Sequence, residues 1–388
     1  MKMKKILFIF LAIFILIFGC QATTQTTNKT NQPNQQVSDA IKYFDFGKEY
    51  LKNKIYDSAI KNFQKSIEES LDFIEAYNGL GKSFEGKMDY TRAESLYSYM
   101  ITKFPSNPEG FVNMGNLYSK LKKYNEAEKY YFDALKVDST SSKAYYGLAQ
   151  LYENLPPSKK EFNKLSCYEK ACNFDPENLS AAYGYAKALI KVEEYQKAVD
   201  LLKKISDNHP TYVEPLSNLA EAYLETKQYN KAIETYNKVN QLDSTIINTY
   251  LGLARSYQGL KDYTNAEKYY NKMISLMPYS TVPYLYLGQM YMEIKEYDKA
   301  INYLEKALAK SPNDPNALLL MAQAYFLKVD PIKAKKSDEN YQEALKILEK
   351  SASYFNRIIE LKGKYVKEAQ TGLENIEKRK KEIDPTRW

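Results

Sequence analysis

His209 is the only histidine in the 388 residues, and it is therefore the first limit on what chemistry the chain can do. Two-histidine zinc sites and Ser-His-Asp triads both need more imidazole than one residue supplies. Cys167 and Cys172 stand five apart, which on a helix turns their side chains about 140° away from each other. A disulfide or shared metal is therefore not expected, and both read as small, half-buried hydrophobes. With 14 glycines, the sequence holds no G-x-G-x-x-G and no G-x-x-x-x-G-K-[ST], so no loop is built to cradle phosphate. The 48 acidic residues are scattered and single out no catalytic pair. His209, followed by Pro210, falls at a helix end, where a cationic ring complements the last carbonyls. No catalytic residue, cofactor, metal or small-molecule substrate is expected, and the protein reads as something other than an enzyme.

What the residues do show is a repeat. Gly47, Gly81, Gly115, Ala149, Ala186, Ala220, Ala254, Gly288 and Ala322 follow one another at spacings of 34, with one step of 37. Such periodicity decides the fold before any other signal. A large apolar residue precedes each small one (Phe46, Leu80, Met114 and so on), and three residues after it comes Tyr50, Phe84, Tyr118, Tyr152, Leu189, Tyr223, Tyr257, Tyr291 or Tyr325. Twelve residues after the small position a second one recurs as Ala59, Ala93, Ala127, Ala198, Ala232, Ala266 and Ala300, with a bulky residue such as Phe63 or Tyr97 four further on. Pro105, Pro176, Pro210, Pro278 and Pro312 close many of the repeats.

The spacings of three and four put the bulky residues on one face of each of two helices per repeat. The Gly or Ala positions lie where two backbones approach, and the proline stops the second helix. This pattern resembles the tetratricopeptide repeat over residues 40–358. The resemblance implies an all-α, right-handed superhelical solenoid of about nine helix-turn-helix repeats. Extra residues near Asn154-Leu155-Pro156-Pro157 and from Lys333 to Asn340 fall between the two helices of repeats four and nine, where a solenoid tolerates insertion. Residues 359–388 read as a C-terminal capping helix and basic tail, with Tyr365, Val366, Ala369, Leu373 and Ile376 on its inner face. Lys378-Arg379-Lys380-Lys381 reads as a solvated cap face, with binding of anionic lipid or a partner as the other reading.

In this family the first helix of each pair lines a concave groove. The residue after each small position is Lys48, Lys82, Asn116, Gln150, Lys187, Glu221, Arg255, Gln289 or Gln323, polar in every repeat. Three residues before it stand Phe44, Asn78, Val112, Tyr146, Tyr183, Ser217, Leu251, Leu285 and Leu319. A polar ladder flanked by apolar residues suits an extended peptide or a partner's helix. The candidate groove set is Lys82, Asn116, Tyr146, Gln150, Tyr183, Lys187, Glu221, Arg255, Gln289 and Gln323. The Lys/Asn clamp that some relatives use on terminal carboxylates is not found, since Val112 stands four residues before Asn116, where the clamp needs Lys.

The first residues are an address. Lys2, Lys4 and Lys5 precede an apolar run, Ile6 to Gly19, too short to span a bilayer and right for a signal segment. The end of this run, Ile17-Phe18-Gly19-Cys20, resembles the lipobox of bacterial lipoproteins, with Phe18 where a small residue is usual. That resemblance makes residues 1–19 a signal peptide and Cys20 the lipid-attachment site, giving stable membrane anchoring. Residues 20–39, rich in Thr, Asn and Gln, read as a flexible polar tether. Gln21 in place of Asp favours an outer-membrane destination facing the periplasm by resemblance to enterobacterial lipoprotein sorting. Losing the leader removes three lysines and no acid, leaving 52 basic against 48 acidic residues, and neither balance argues for nucleic acid.

The expectation is a lipid-anchored scaffold of the cell envelope that binds proteins or peptides in its groove and supports assembly of a membrane complex. The alternative is a regulatory or substrate-presenting subunit of a cell-wall or glycan enzyme. Of the 37 tyrosines, most occupy repeat positions that pack between helices, so the aromatic excess is structural.

Overall fold

A computed structural model describes residues 33–155, 161–330, 334 and 336–384. The signal segment, Cys20 and the tether as far as residue 32 lie outside the described residues, as do parts of both expected insertions. The chain divides into two compact units, one ending at Val192 and one starting at Glu193.

The first unit holds α1 (Pro33–Lys52), α2 (Tyr56–Glu69), α3 (Ile74–Gly86), α4 (Tyr90–Lys103), α5 (Glu109–Lys120), α6 (Tyr124–Val137), α7 (Ser142–Glu153), α8 (Glu161–Phe174) and α9 (Leu179–Lys191). The second holds α10 (Tyr195–Asn208), α11 (Val213–Glu225), α12 (Tyr229–Leu242), α13 (Ile247–Gly259), α14 (Tyr263–Leu276), α15 (Val282–Glu293), α16 (Tyr297–Lys310), α17 (Pro315–Lys328), α18 (Asp338–Glu360) and α19 (Val366–Ile383). Odd-numbered helices up to α17 are the first helix of each repeat, the even ones the second, and α19 follows the ninth pair. The fold is an all-α tetratricopeptide-type solenoid, as expected. The division falls inside repeat five, with α9 closing one unit and α10 opening the other.

α1 starts at Pro33, inside the stretch expected to be tether. The helix extends upstream because Ala40 is buried and its carbonyl accepts the Ser66 hydroxyl of α2 at 2.7 Å, which anchors the turn above it.

The small positions do what their size predicts. A Cβ at Gly81 would overlap the ring of Tyr97, and one at Gly115 the ring of Tyr131. A second small position, two residues earlier in the next repeat, was not foreseen. Phe63 is wedged against both Gly47 and Gly79, Tyr131 against Gly115 and Gly147, and Tyr168 lies against Gly184 and Tyr236 against Gly252. Phe63 and Tyr131 thus each fill a seat cut into the first helices of their own and the following repeat. Where that seat holds Tyr286, Tyr270 stacks on it, with ring centroids 5.7 Å apart.

Between the paired helices the chain turns through one left-handed residue: Lys54, Met88, Lys122, Glu193, Lys227, Lys261 or Lys295, with φ between 58° and 63°. At the second of these turns the Met88 amide donates to the Glu85 carbonyl and the Asp89 amide to that of Phe84, which satisfies the last carbonyls of α3. Asp89 then accepts from the Arg92 amide and caps α4, so one dipeptide ends one helix and starts the next.

Tyrosine hydroxyls tie successive repeats together. Tyr118 donates to Glu94 at 2.6 Å and Tyr152 to Glu128 at 2.8 Å, each reaching from a first helix back to the second helix of the preceding repeat. The bond to Glu94, with burial, pushes the Tyr118 phenol up to about 12.

α19 covers the last pair through Ala369, Ile376 and Ile383, which packs it as the expected capping helix. Arg379 is part of that packing: it lies 4.8 Å from the Phe326 ring and donates to the Val329 carbonyl at 3.1 Å. Lys380 pairs with Glu377, while Lys378 and Lys381 stay exposed.

Candidate functional site

Four of the expected groove residues come together in the first unit. Lys82 of α3, Asn116 of α5, and Tyr146 and Gln150 of α7 line one groove of about 500 Å³. Its walls are thus the first helices of three successive repeats. Each turn of these helices that faces inward is polar, because the residue after each small position lies just beyond the buried stripe.

The floor is a hydrogen-bond chain running across the repeats. Asn113, almost fully buried, donates its amide to Asn78 Oδ1 at 2.5 Å, and Asn78 Nδ2 donates to Glu109 Oε2 at 3.3 Å. Glu109 also accepts from Lys143 of α7. Alongside, Glu85 accepts the Tyr97 hydroxyl at 2.7 Å and Lys120 at 3.4 Å. Burial, followed by the neighbouring Glu85 charge, drives the Tyr97 phenol well above its usual range, so it stays a donor at any ordinary pH.

Two amides each satisfy one end inside the protein and present the other. The Asn116 carbonyl accepts the Tyr131 hydroxyl at 2.7 Å, which leaves its Nδ2 to face the groove. Gln150 donates Nε2 to the Tyr146 hydroxyl at 2.8 Å, leaving Oε1 as an acceptor. Lys82 is exposed and makes no ion pair with another described residue, whereas Lys120 and Lys143 are matched to Glu85 and Glu109. One cation, one donor and one acceptor therefore line a groove whose remaining charges are paired.

The other candidates do not join this groove. Tyr183 and Lys187 form their own cation–π pair on α9 at 5.9 Å. Arg255 is engaged by Glu225 at 3.1 Å, and Glu221 and Gln289 are exposed on α11 and α15. Gln323 lines a separate cleft of about 630 Å³ between α17, α18 and α19, bounded by Leu319, Phe326, Leu327 and Phe355. The ladder is polar and exposed in every repeat, as expected, but it forms no single site. Asn113, Glu109, Lys120 and Lys143 were missed by sequence reasoning. Asn113 had a signal: it is polar where Gly79 and Gly147 stand in the neighbouring repeats.

Cys167 and Cys172 are unpaired and half-buried, and burial pushes both thiols up to about 11. His209 caps the end of α10, its amide donating to the Ile205 carbonyl. Among the described residues no three His, Cys, Asp or Glu side chains are arranged to hold a metal ion. Nor, among them, is any helix long and apolar enough to cross a membrane.

With helix pairs, seats and groove in place, the family follows. Models of the tetratricopeptide repeat match residues 108–141, 190–245, 257–324 and 295–334. The chain is a tetratricopeptide-repeat protein, and its fold is that of a protein–protein interaction scaffold, a kind that is generally not catalytic. A stretch of 150 residues, 39% of the chain, is 21% identical to Anaphase-promoting complex subunit 3 of Schizosaccharomyces pombe, of which it spans only 22%. Among solved structures, a tetratricopeptide repeat protein of Parabacteroides merdae is 17% identical, with 71% of this chain and 98% of that one covered and a TM-score of 0.48. The pilF protein of Pseudomonas aeruginosa is 19% identical over 56% of this chain and 97% of its own, with a TM-score of 0.42. YrrB, a tetratricopeptide-repeat protein with an unusual peptide-binding site, is 20% identical over 47% of this chain and 92% of its own, at 0.44.

Proposed function

We propose that this protein is a lipid-anchored scaffold of the cell envelope that holds an extended segment of a partner protein in the groove of α3, α5 and α7. The observation that carries the reading is the half-used pair of amides, Asn116 and Gln150, beside the unpaired Lys82. An extended peptide backbone offers alternating carbonyls and amides, which such a donor and acceptor match without choosing a side chain. The unpaired cation then favours a segment bearing a carboxylate nearby. Anchoring rests on Ile17-Phe18-Gly19-Cys20, and an outer-membrane, periplasm-facing site rests on Gln21. Support for assembly of a membrane complex is the purpose that a tethered, groove-bearing array fits best.

The test uses a photo-crosslinking residue in place of Gln150 in the native host, with Lys268 on α14 as the control position. A discrete partner caught at 150 and not at 268, and lost with Lys82→Glu, supports the groove. Equal labelling at both positions, or no effect of Lys82→Glu, rejects it. Anchoring is tested separately by Cys20→Ala, which should release the protein from membranes; undiminished membrane association rejects the lipid claim and leaves the groove untouched.

A further inference from the structure

The first helix of a later repeat, such as α3 or α5, buries one face against the repeat before it, and among the described residues no repeat precedes α1. Phe46 is 43% exposed, whereas its counterparts Leu80, Leu253 and Leu287 are 0% exposed. Tyr50 is likewise 37% exposed where Phe84 is 0%. The bare face is also written differently. Lys42 and Glu49 stand where the other repeats bury small or apolar residues, such as Ala76 and Ser83, or Ala144 and Leu151. Both are exposed, and neither forms an ion pair with another described residue.

We propose that this face is a self-association surface, on which α1 of one chain pairs antiparallel with α1 of a second copy. Phe46 and Tyr50, four residues apart, are spaced as successive seam residues of a two-helix pairing, with Tyr43 at the edge, half-buried beneath Lys65 of α2. Lys42 and Glu49 are seven residues apart and so hold the same flanking position beside that seam. About a two-fold axis between residues 45 and 46, Lys42 of each copy faces Glu49 of the other, giving two opposite-charge pairs. A parallel pairing sets each residue level with its own copy and forms neither pair. The same antiparallel axis brings the Phe46 rings of the two copies side by side at the centre of the seam.

Among the described residues Phe46 and Tyr50 stay exposed, so none of these residues covers the face. Residues 21–32 contain a single apolar residue, Ala22. Head-to-tail addition is closed off because α19 lies over the last helix pair. An interface that matches itself closes as a dimer and stops there.

Sedimentation equilibrium of the full chain in density-matched detergent reads this directly. The wild type should be a dimer, and Phe46→Asp a monomer with unchanged helical circular dichroism. Lys42→Glu sets Glu against Glu, Glu49→Lys sets Lys against Lys, and each should weaken dimerisation roughly tenfold. The double exchange K42E/E49K should restore it, which no merely structural or solubilising role of these charges predicts. A wild type that stays monomeric at all concentrations overturns the proposal, as does a double variant no better than the singles. If Phe46→Asp instead leaves the mass unchanged and lowers retention on lipid vesicles, the face belongs to a membrane surface and the proposal fails.

Discussion

Asn113 of α5 and Asn78 of α3 share a hydrogen bond of 2.5 Å, and through it the floor of the groove is tied to two successive repeats. Asn113 is 5% exposed, so its amide has little water to turn to. Replacing Asn78 with Leu leaves the Asn113 Nδ2 unpaired and should cost about 1–3 kcal/mol in urea unfolding. Adding Asn113→Leu should recover part of that loss, because two apolar partners replace one orphaned amide. A single variant as stable as wild type would show that the bond contributes nothing.

Gly81→Ala sets a methyl group into the Tyr97 ring, which is fully buried and has no space to retreat. Overpacking of this kind should destabilise the first unit by about 1–3 kcal/mol. In a Tyr97→Leu background the same change should cost much less, because the smaller side chain leaves room for the methyl group. A thermal-unfolding double-mutant cycle with no coupling would dismiss the seat.

The Lys261 backbone has φ of 61°, where a side chain other than glycine is strained. Lys261→Gly should therefore raise stability by about 1 kcal/mol, and Lys261→Val should lower it. Differential scanning calorimetry distinguishes the two directions.

Alkaline pH should unfold the protein. Burial raises the phenols of Tyr77, Tyr131, Tyr168, Tyr236 and Tyr270 well above their ordinary value of 10.0. Above that value the unfolded chain loses these protons and the folded one keeps them, so the folded state binds more protons and stability falls as pH rises. Urea midpoints should be flat just below pH 10 and decline steadily above it, and part of the 295 nm tyrosinate signal should appear only with loss of helix. A 295 nm signal that is complete before any helix is lost would contradict the burial.

The helix pairs, their small positions and the capping helix were all legible, because one packing solution recurs every 34 residues and leaves columns in the sequence. The second seat was not, since the positions that receive the bulky side chain read Gly79, Asn113, Gly147, Gly184, Asn218, Gly252, Tyr286 and Leu320. Such a column has no common residue type, and where it holds Tyr286 in place of glycine, Tyr270 stacks on that ring. The left-handed turns were hidden for a similar reason, with Lys, Glu or Met in place of the glycine that would have marked them. At the groove, the ladder residues were visible one by one. Which of them act together depends on which charges are already paired, as with Arg255 and Glu225, and that is a matter of distance and not of spacing.

The tyrosine ties bear on how such a chain can change its length. Glu94 and Tyr118 are 24 residues apart, as are Glu128 and Tyr152. Excising residues 95–128, one period, brings Tyr152 to the place of Tyr118, again 24 residues after Glu94, and the tie closes with a new pair of old residues. Duplication of the same block works in reverse. At these repeats the array can thus be lengthened or shortened by a whole step, by accident or by engineering, with the junction already written in the residues on either side.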